Sequence, residues 1–105
     1  MFKSFLTAEA KEIVPGFIAR FLHTSTQTFA LFEIKKGAIL PEHAHVHEQI
    51  SNVLEGQFEL TIDGEKKVCN PGDMAVISSN IPHSGIAITD CKILDIFTPV
   101  REDYK

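Results

Sequence analysis

Residues 41–56 read PEHAHVHEQISNVLEG, with His43, His45 and His47 on alternate positions and Gln49 completing the series. Histidine is a costly residue for a plain core strand, because a buried ring must find hydrogen-bond partners for its nitrogens. In an extended chain, residues of equal parity share a face. His43, His45, His47 and Gln49 would then lean to one side, and Glu42, Glu48 and Ile50 to the other. Two imidazoles two residues apart, with an oxygen donor further along, make a convergent set for a transition metal. The plain alternative is a polar edge strand whose histidines face water, since an isolated HxH is a weak pattern.

The chain around this stretch has 105 residues, which by size is one domain, residues 1–105, with one core. Its 44% hydrophobic and 23% charged residues are ordinary for a globular protein. No apolar run approaches the length of a membrane span. The N-terminus MFKSFLTAEAKEI lacks a long apolar core and a small-residue cleavage site, so the expected location is the cytoplasm. Cys69 and Cys91 form no CxxC and are too few for a disulfide framework, so they read as reduced thiols that fill space. A net charge of −4, with no basic cluster beyond Lys35-Lys36 and Lys66-Lys67, argues against nucleic acid and anionic membranes. The expected partner is a small molecule.

Turn residues punctuate the rest of the chain. A short helical or irregular piece is expected at Thr7 to Ile13, and Pro15-Gly16 marks a turn. Then come the runs FIARFLH, TFALFEI, QISNVL, QFELTI, KKVC, MAVIS, GIAIT and KILDIF. Asp63-Gly64 suits a tight hairpin with positive φ. No segment after residue 16 sustains a 3.6-residue period. Short strands at this spacing predict an all-β, antiparallel sandwich or small barrel. A barrel of this size has room inside for one small ligand.

The stretch GAILPEHAHVHEQISNVLEG, residues 37–56, resembles the first motif of the cupins, G-x5-H-x-H-x3-E-x6-G, with Gln49 where most members carry Glu. PGDMAVISSNIPHSG resembles their second motif and places His83 at the usual ligand position. The match there is looser. Ser78 replaces a proline, Ala87 stands where Asn is usual, and Asn80 occupies the site of a turn glycine, where it can tolerate positive φ. The resemblance implies a cupin jelly-roll β-barrel, a double-stranded β-helix. It also implies one divalent transition metal (Ni, Zn, Mn, Fe or Cu) held by His43, His45, Gln49 and His83. His47 has the right parity to take the place of His83, although three same-face side chains diverge as a strand twists. Gln in place of Glu leaves a divalent ion its full charge and makes it a stronger Lewis acid toward an anionic ligand.

The C-terminal stretch KILDIFTPVREDYK carries the second set of candidates. Ile93, Asp95 and Phe97 share parity, and either they or Leu94 and Ile96 face the interior. The series Asp95, Phe97, Pro99 and Arg101, together with the HEQ ending of the histidine motif, resembles the small cupins of pectin and alginate breakdown, the KdgF-type uronate-linearising proteins. Their implied reaction converts a cyclic 4,5-unsaturated monouronate into its linear 4-deoxy-5-keto form. Under that resemblance Asp95 moves the proton, Arg101 reads the substrate carboxylate with Arg20 as a weaker candidate, and Phe97 packs on the sugar ring. The ordinary alternatives are a solvated Asp95, an end-of-strand ion pair at Arg101 and a core aromatic at Phe97. A metal-dependent cupin oxygenase and a non-catalytic sugar- or metabolite-binding barrel are the rival functions. Phe17, Phe21, Phe29 and Phe32 exceed the expected needs of one small core, which predicts a homodimer.

Overall fold

The alternating apolar runs become strands in the computed structural model, which describes residues 1–105. The strands are β1 (Lys11–Val14), β2 (Phe17–His23), β3 (Thr28–Ile34), β4 (Ile39–His43), β5 (Glu48–Glu55), β6 (Phe58–Ile62), β7 (Glu65–Cys69), β8 (Met74–Ile77), β9 (His83–Ala87) and β10 (Cys91–Thr98). Single 3-10 turns occupy Phe5–Thr7 and Glu102–Tyr104. Every strand pair is antiparallel. One sheet runs β1-β2-β3-β10-β5-β8 and the other β4-β9-β6-β7. The expected all-β jelly roll is therefore present. It consists of two sheets with no hydrogen-bonded strand in common, and it is not a cylinder closed all round.

Two strands lay outside the run analysis. β1 falls where a helical or irregular piece was expected; it pairs with β2 as Lys11↔Ala19 and Glu12↔Ile18 across the Pro15-Gly16 turn. β4 is mostly exposed, so it lacks the apolar alternation that reveals a half-buried strand. The turn chemistry is as read: Asp63 and Gly64 have φ of 49° and 80°, and Asn80 has φ of 64°. No helix is long and apolar enough to cross a membrane.

Period-two alternation builds the core. β2 buries Phe17, Ala19 and Phe21, β3 buries Ala30, Phe32 and Ile34, and β10 buries Ile93, Asp95 and Phe97. The inward parity of β10 is thereby decided in favour of Asp95. Large and small residues face one another across the ladder, as in Phe21↔Ala30 and Ala19↔Phe32, which lets side chains of the inner face interdigitate. Phe17 meets Phe32 of its own sheet and Phe58 of the other edge-to-face, at 6.3 and 6.2 Å. Burial of each such ring stabilises the fold by roughly 1.5–3 kcal/mol. Phe17, Phe21 and Phe32 thus belong to the core and are not surplus surface aromatics; Phe29 alone of the four points outward. Cys69 and Cys91 are buried, unpaired thiols.

β9, which carries His83, owes its position to a glycine. A Cβ at Gly85 would lie 2.3 Å from the Phe58 ring, so the ring occupies the space a side chain would need. Gly85→Ala is expected to destabilise the fold by about 1–3 kcal/mol, the range for overpacking a filled core. The check is the urea midpoint at constant m-value; an unchanged midpoint would show that the Phe58 ring is free to move aside.

Candidate metal centre

The histidine stretch does not stay in one strand. β4 ends at His43, the chain bends through residues 44–47, and β5 begins in the other sheet at Glu48. The single-face arrangement expected for His43, His45, His47 and Gln49 is corrected accordingly, because the sequence crosses between sheets there. The bend is pinned by the second motif, where the Asn80 backbone N–H donates to the His45 carbonyl at 2.8 Å. β4 pairs with β9 so that His43 lies opposite His83.

The result is a cluster of His43, His45 and His83, with one ring nitrogen from each lying within 4.8 Å of the others. Ring centroids are 4.2 Å apart for His43 and His83 and 5.0 Å for His45 and His83. His43 stands at the rim, and His83 is almost wholly buried, at 1% exposed. His47 lies outside the cluster, 5.6 Å from the His45 ring, and its backbone carbonyl accepts a hydrogen bond from His45 Nδ1. Of the two arrangements left open by parity, the fold assembles the one with His83.

Hydrogen bonding fixes which nitrogen of each ring is free. Nδ1 of His43, His45 and His83 lies 2.9, 3.0 and 2.9 Å from the carbonyls of Pro41, His47 and Ile81. A carbonyl only accepts, so each Nδ1 carries the proton and each Nε2 presents a lone pair. Burial, then the charge of Arg101 and the neighbouring His83, push the His45 pKa down to about 4; burial also lowers that of His83. Both rings are neutral at pH 7. His83 Nε2 is buried with no hydrogen-bond partner. His45 Nε2 faces Gln49 Oε1 at 3.0 Å, and the Gln49 amide is oriented by donating from Nε2 to Asp95 Oδ2 at 3.1 Å. Two acceptors therefore face each other without a proton between them. A cation supplies what this donor set lacks: three imidazole nitrogens and an amide oxygen fit a divalent transition metal.

Behind the imidazoles lies a cavity lined by Asp95, Phe97, Arg101 and Tyr104 over an apolar floor, with about 50 Å3 of space for water-sized molecules. Asp95 is 8% exposed. Burial pushes its carboxyl pKa up to about 6, against the opposing effects of the neighbouring Ser51 hydroxyl, the Gln49 amide and the Arg101 charge. Its Oδ1 is buried without a hydrogen bond. Phe97 sets its ring edge-to-face against His45 at 5.6 Å. The Arg101 guanidinium lies 4.8 Å from the centre of the Phe97 ring and 4.1 Å from that of Tyr104. Arg20 is elsewhere. It points from the outer side of β2 to the carbonyl of Ala8 at 2.6 Å, and the cavity does not include it. Tyr104 and Asp103, which forms a two-bond fork with Arg101 at 2.9 and 2.7 Å, escaped the sequence reading. The available signal was their nearness to Arg101 in sequence, on a segment with no periodicity.

Imidazoles gathered at one end of a two-sheet jelly roll make this a protein with a candidate metal centre inside an all-β sandwich. Residues 30–97 match the cupin domain family Cupin_2, and the chain belongs to that family. It is 38% identical over 71 residues, 66% of its length, to the pectin degradation protein KdgF of Dickeya dadantii. It is 40% identical over 74 residues, 64% of its length, to quercetin 2,3-dioxygenase of Bacillus subtilis. The matched regions span 64% and 22% of those two relatives. Among solved structures, KdgF from Halomonas sp. superposes with a TM-score of 0.87 at 30% identity, covering 92% of this chain and 91% of that one.

His43→Ala and His83→Ala are each expected to abolish stoichiometric metal binding, because a closed set loses too many donors with one ligand. His47→Ala is expected to retain the ion. Elemental analysis of purified variants measures this; metal lost from His47→Ala and kept by His83→Ala would reverse the ligand assignment.

Proposed function

We propose that this chain is a metal-dependent enzyme that converts a cyclic 4,5-unsaturated monouronate into its linear 4-deoxy-5-keto form. The observation that carries the reading is the meeting, in one cavity, of the imidazole cluster, a buried carboxyl with pKa about 6 and an arginine. The similarity to the pectin degradation protein supports the substrate class.

His43, His45, Gln49 and His83 would hold the ion, which when bound supplies Lewis acidity toward an anionic oxygen. The remaining steps fall to the chain's own groups. Arg101 binds the substrate carboxylate, and Phe97 packs against the ring. Asp95 Oδ1, free of other bonds, takes the proton of the C1 hydroxyl. The C1 carbonyl forms as the bond from C1 to the ring oxygen breaks, and the electron pair passes to that oxygen. Return of the proton to C4 then forms the C5 carbonyl. The step is an isomerisation and needs no oxidant. A carboxyl with pKa near 6 is suited to take and return a proton close to neutral pH. Oxygen chemistry, supported by similarity to a small part of the dioxygenase, would instead consume O2 in the same assay.

Assembly as a homodimer is part of this reading, on a surface to which only Phe29 of the four counted aromatics contributes. The outer face of the six-stranded sheet carries a cross-strand row of Leu22, Phe29, Ile96, Ile50 and Val76, each registered against the next. Val76 is 52% exposed. An apolar row of this length across five strands is a surface that self-association would cover.

Asp95→Asn is expected to lower kcat by about two to four orders of magnitude with metal content intact, the range for a positioned acid or base. Arg101→Lys is expected chiefly to raise KM, since a charge remains while the fork is lost. Loss of the conjugated double bond's absorbance follows both. Wild-type turnover by Asp95→Asn would remove the acid–base role, and metal-loaded wild type without turnover would make the protein a binding module. Light scattering at micromolar concentration should show a dimer; a strict monomer would remove that part of the reading.

A further inference from the structure

Arg101 is held in an unusual way for a terminal arginine. Its backbone N–H donates to the fully buried Thr28 hydroxyl at 2.9 Å, which fixes the start of the side chain. Two aromatic rings, Phe97 and Tyr104, limit how far the guanidinium can tilt. Neither ring face is a directed acceptor, so neither face decides which edge of the planar fork faces the cavity, although the Tyr104 hydroxyl also bonds to the group. That choice falls to hydrogen bonds in the plane of the group. Asp103 makes two of them, Oδ1 from Nε at 2.9 Å and Oδ2 from Nη2 at 2.7 Å.

Most surface ion pairs contribute little, because two long, mobile side chains must be ordered in water. This one differs in two respects. The Arg101 side chain is only 9% exposed although Asp103 is 57% exposed, and the geometry is bidentate. Burial works against the guanidinium's charge, but the Asp103 bond, followed by the charges of Tyr104 and Asp103 and a bond to Tyr104, outweighs it and raises its pKa above the ordinary value. The same bond holds the Asp103 carboxyl below its usual range. Both partners stay charged, and the fork stays closed on its Nε side.

Resting on the reading of Arg101 as a carboxylate clamp, we propose that Asp103 is its positioning residue: it occupies the Nε side of the guanidinium so that the Nη1 edge is presented to the ligand's carboxylate. Asp103 touches neither the imidazole cluster nor the reacting atoms. It acts through Arg101, by removing rotations that a ligand would otherwise have to arrest on binding.

The test uses the metal-loaded, full-length protein and two readouts. D-galacturonate, a saturated monouronate without the reactive double bond, is titrated calorimetrically into wild type, Asp103→Asn and Asp103→Ala. Asp103→Ala should weaken binding about tenfold, the scale of losing an ordered charge-assisted fork. Asp103→Asn, which keeps one acceptor, should fall between. KM for the unsaturated monouronate should rise in parallel while kcat stays within about twofold. In nitrogen-15 NMR, rotation about the Arg101 Nε–Cζ bond should be slow in wild type and fast in Asp103→Ala. A variant that binds galacturonate as wild type does, or more tightly, or whose Arg101 rotation is unchanged, overturns the inference while wild-type turnover leaves the proposed reaction standing. Weakened galacturonate binding in a protein without turnover sinks the reaction and supports the positioning role. Wild type that fails to bind galacturonate removes the clamp and the inference with it.

Discussion

The Gln49 carboxamide joins the two halves of the cavity, and the chemistry of each depends on it. Its oxygen faces His45 Nε2 at 3.0 Å while its nitrogen donates to Asp95 Oδ2 at 3.1 Å. A glutamate here, as most cupins carry, would set two carboxylates in contact, and like charges at that distance do not both ionise. The two would share a proton, and neither could serve as a free base. Gln49 removes that conflict. It keeps an oxygen donor toward the imidazoles and gives Asp95 a donor that favours its charged form, so that burial raises the carboxyl only to about 6. Gln49 and Asp95 form one hydrogen-bonded pair spread over two strands, β5 and β10, whose register pairs Ser51 with Asp95 and Gln49 with Phe97.

The scaffold makes this contact possible because the histidine motif is a crossover. His43 belongs to the four-stranded sheet and Gln49 to the six-stranded one, and the five residues between them span the gap at the mouth of the sandwich. A metal centre built this way draws ligands from both sheets. Ion binding and the packing of one sheet on the other are then linked, since a ligand set of this kind exists only when the sandwich is closed. Asn80 extends the linkage to a third element, because its positive φ turns the chain so that its N–H reaches the His45 carbonyl.

The fold was legible wherever a strand is half-buried. FIARFLH and TFALFEI coincide with β2 and β3, since alternating burial writes itself directly into sequence. β4 was not legible from periodicity, because an exposed strand has no apolar face to record. The same limit explains the error over His45 and His47, whose shared parity means nothing once the chain leaves the strand at His43. Asp95 could be named from sequence but not oriented; its parity class was decided by Ile93 and Phe97 packing inward. Arg20 and Arg101 were indistinguishable as residue types. What separates them is topology, since Arg20 lies on the outer parity of β2 while Arg101 follows β10 over the cavity. Asp103 was invisible because its role depends on the orientation of another side chain.

The electrostatics of the mouth tie the proposed ion to the proposed ligand. Apart from the imidazoles, the charged groups around the cavity are Asp95, Arg101 and Asp103, which together leave it negative in a chain whose net charge is already −4. Arg101 is paired with the exposed Asp103, and the buried Asp95 carboxyl opposes an incoming anion from within. A divalent cation on a neutral ligand set reverses the sign of the site, and it does so more strongly with Gln49 than a glutamate in that place would allow. The proposed clamp and the imidazole cluster are therefore complementary: Arg101 would set the orientation of a carboxylate, and a bound cation would add the attraction that draws an anion into this cavity.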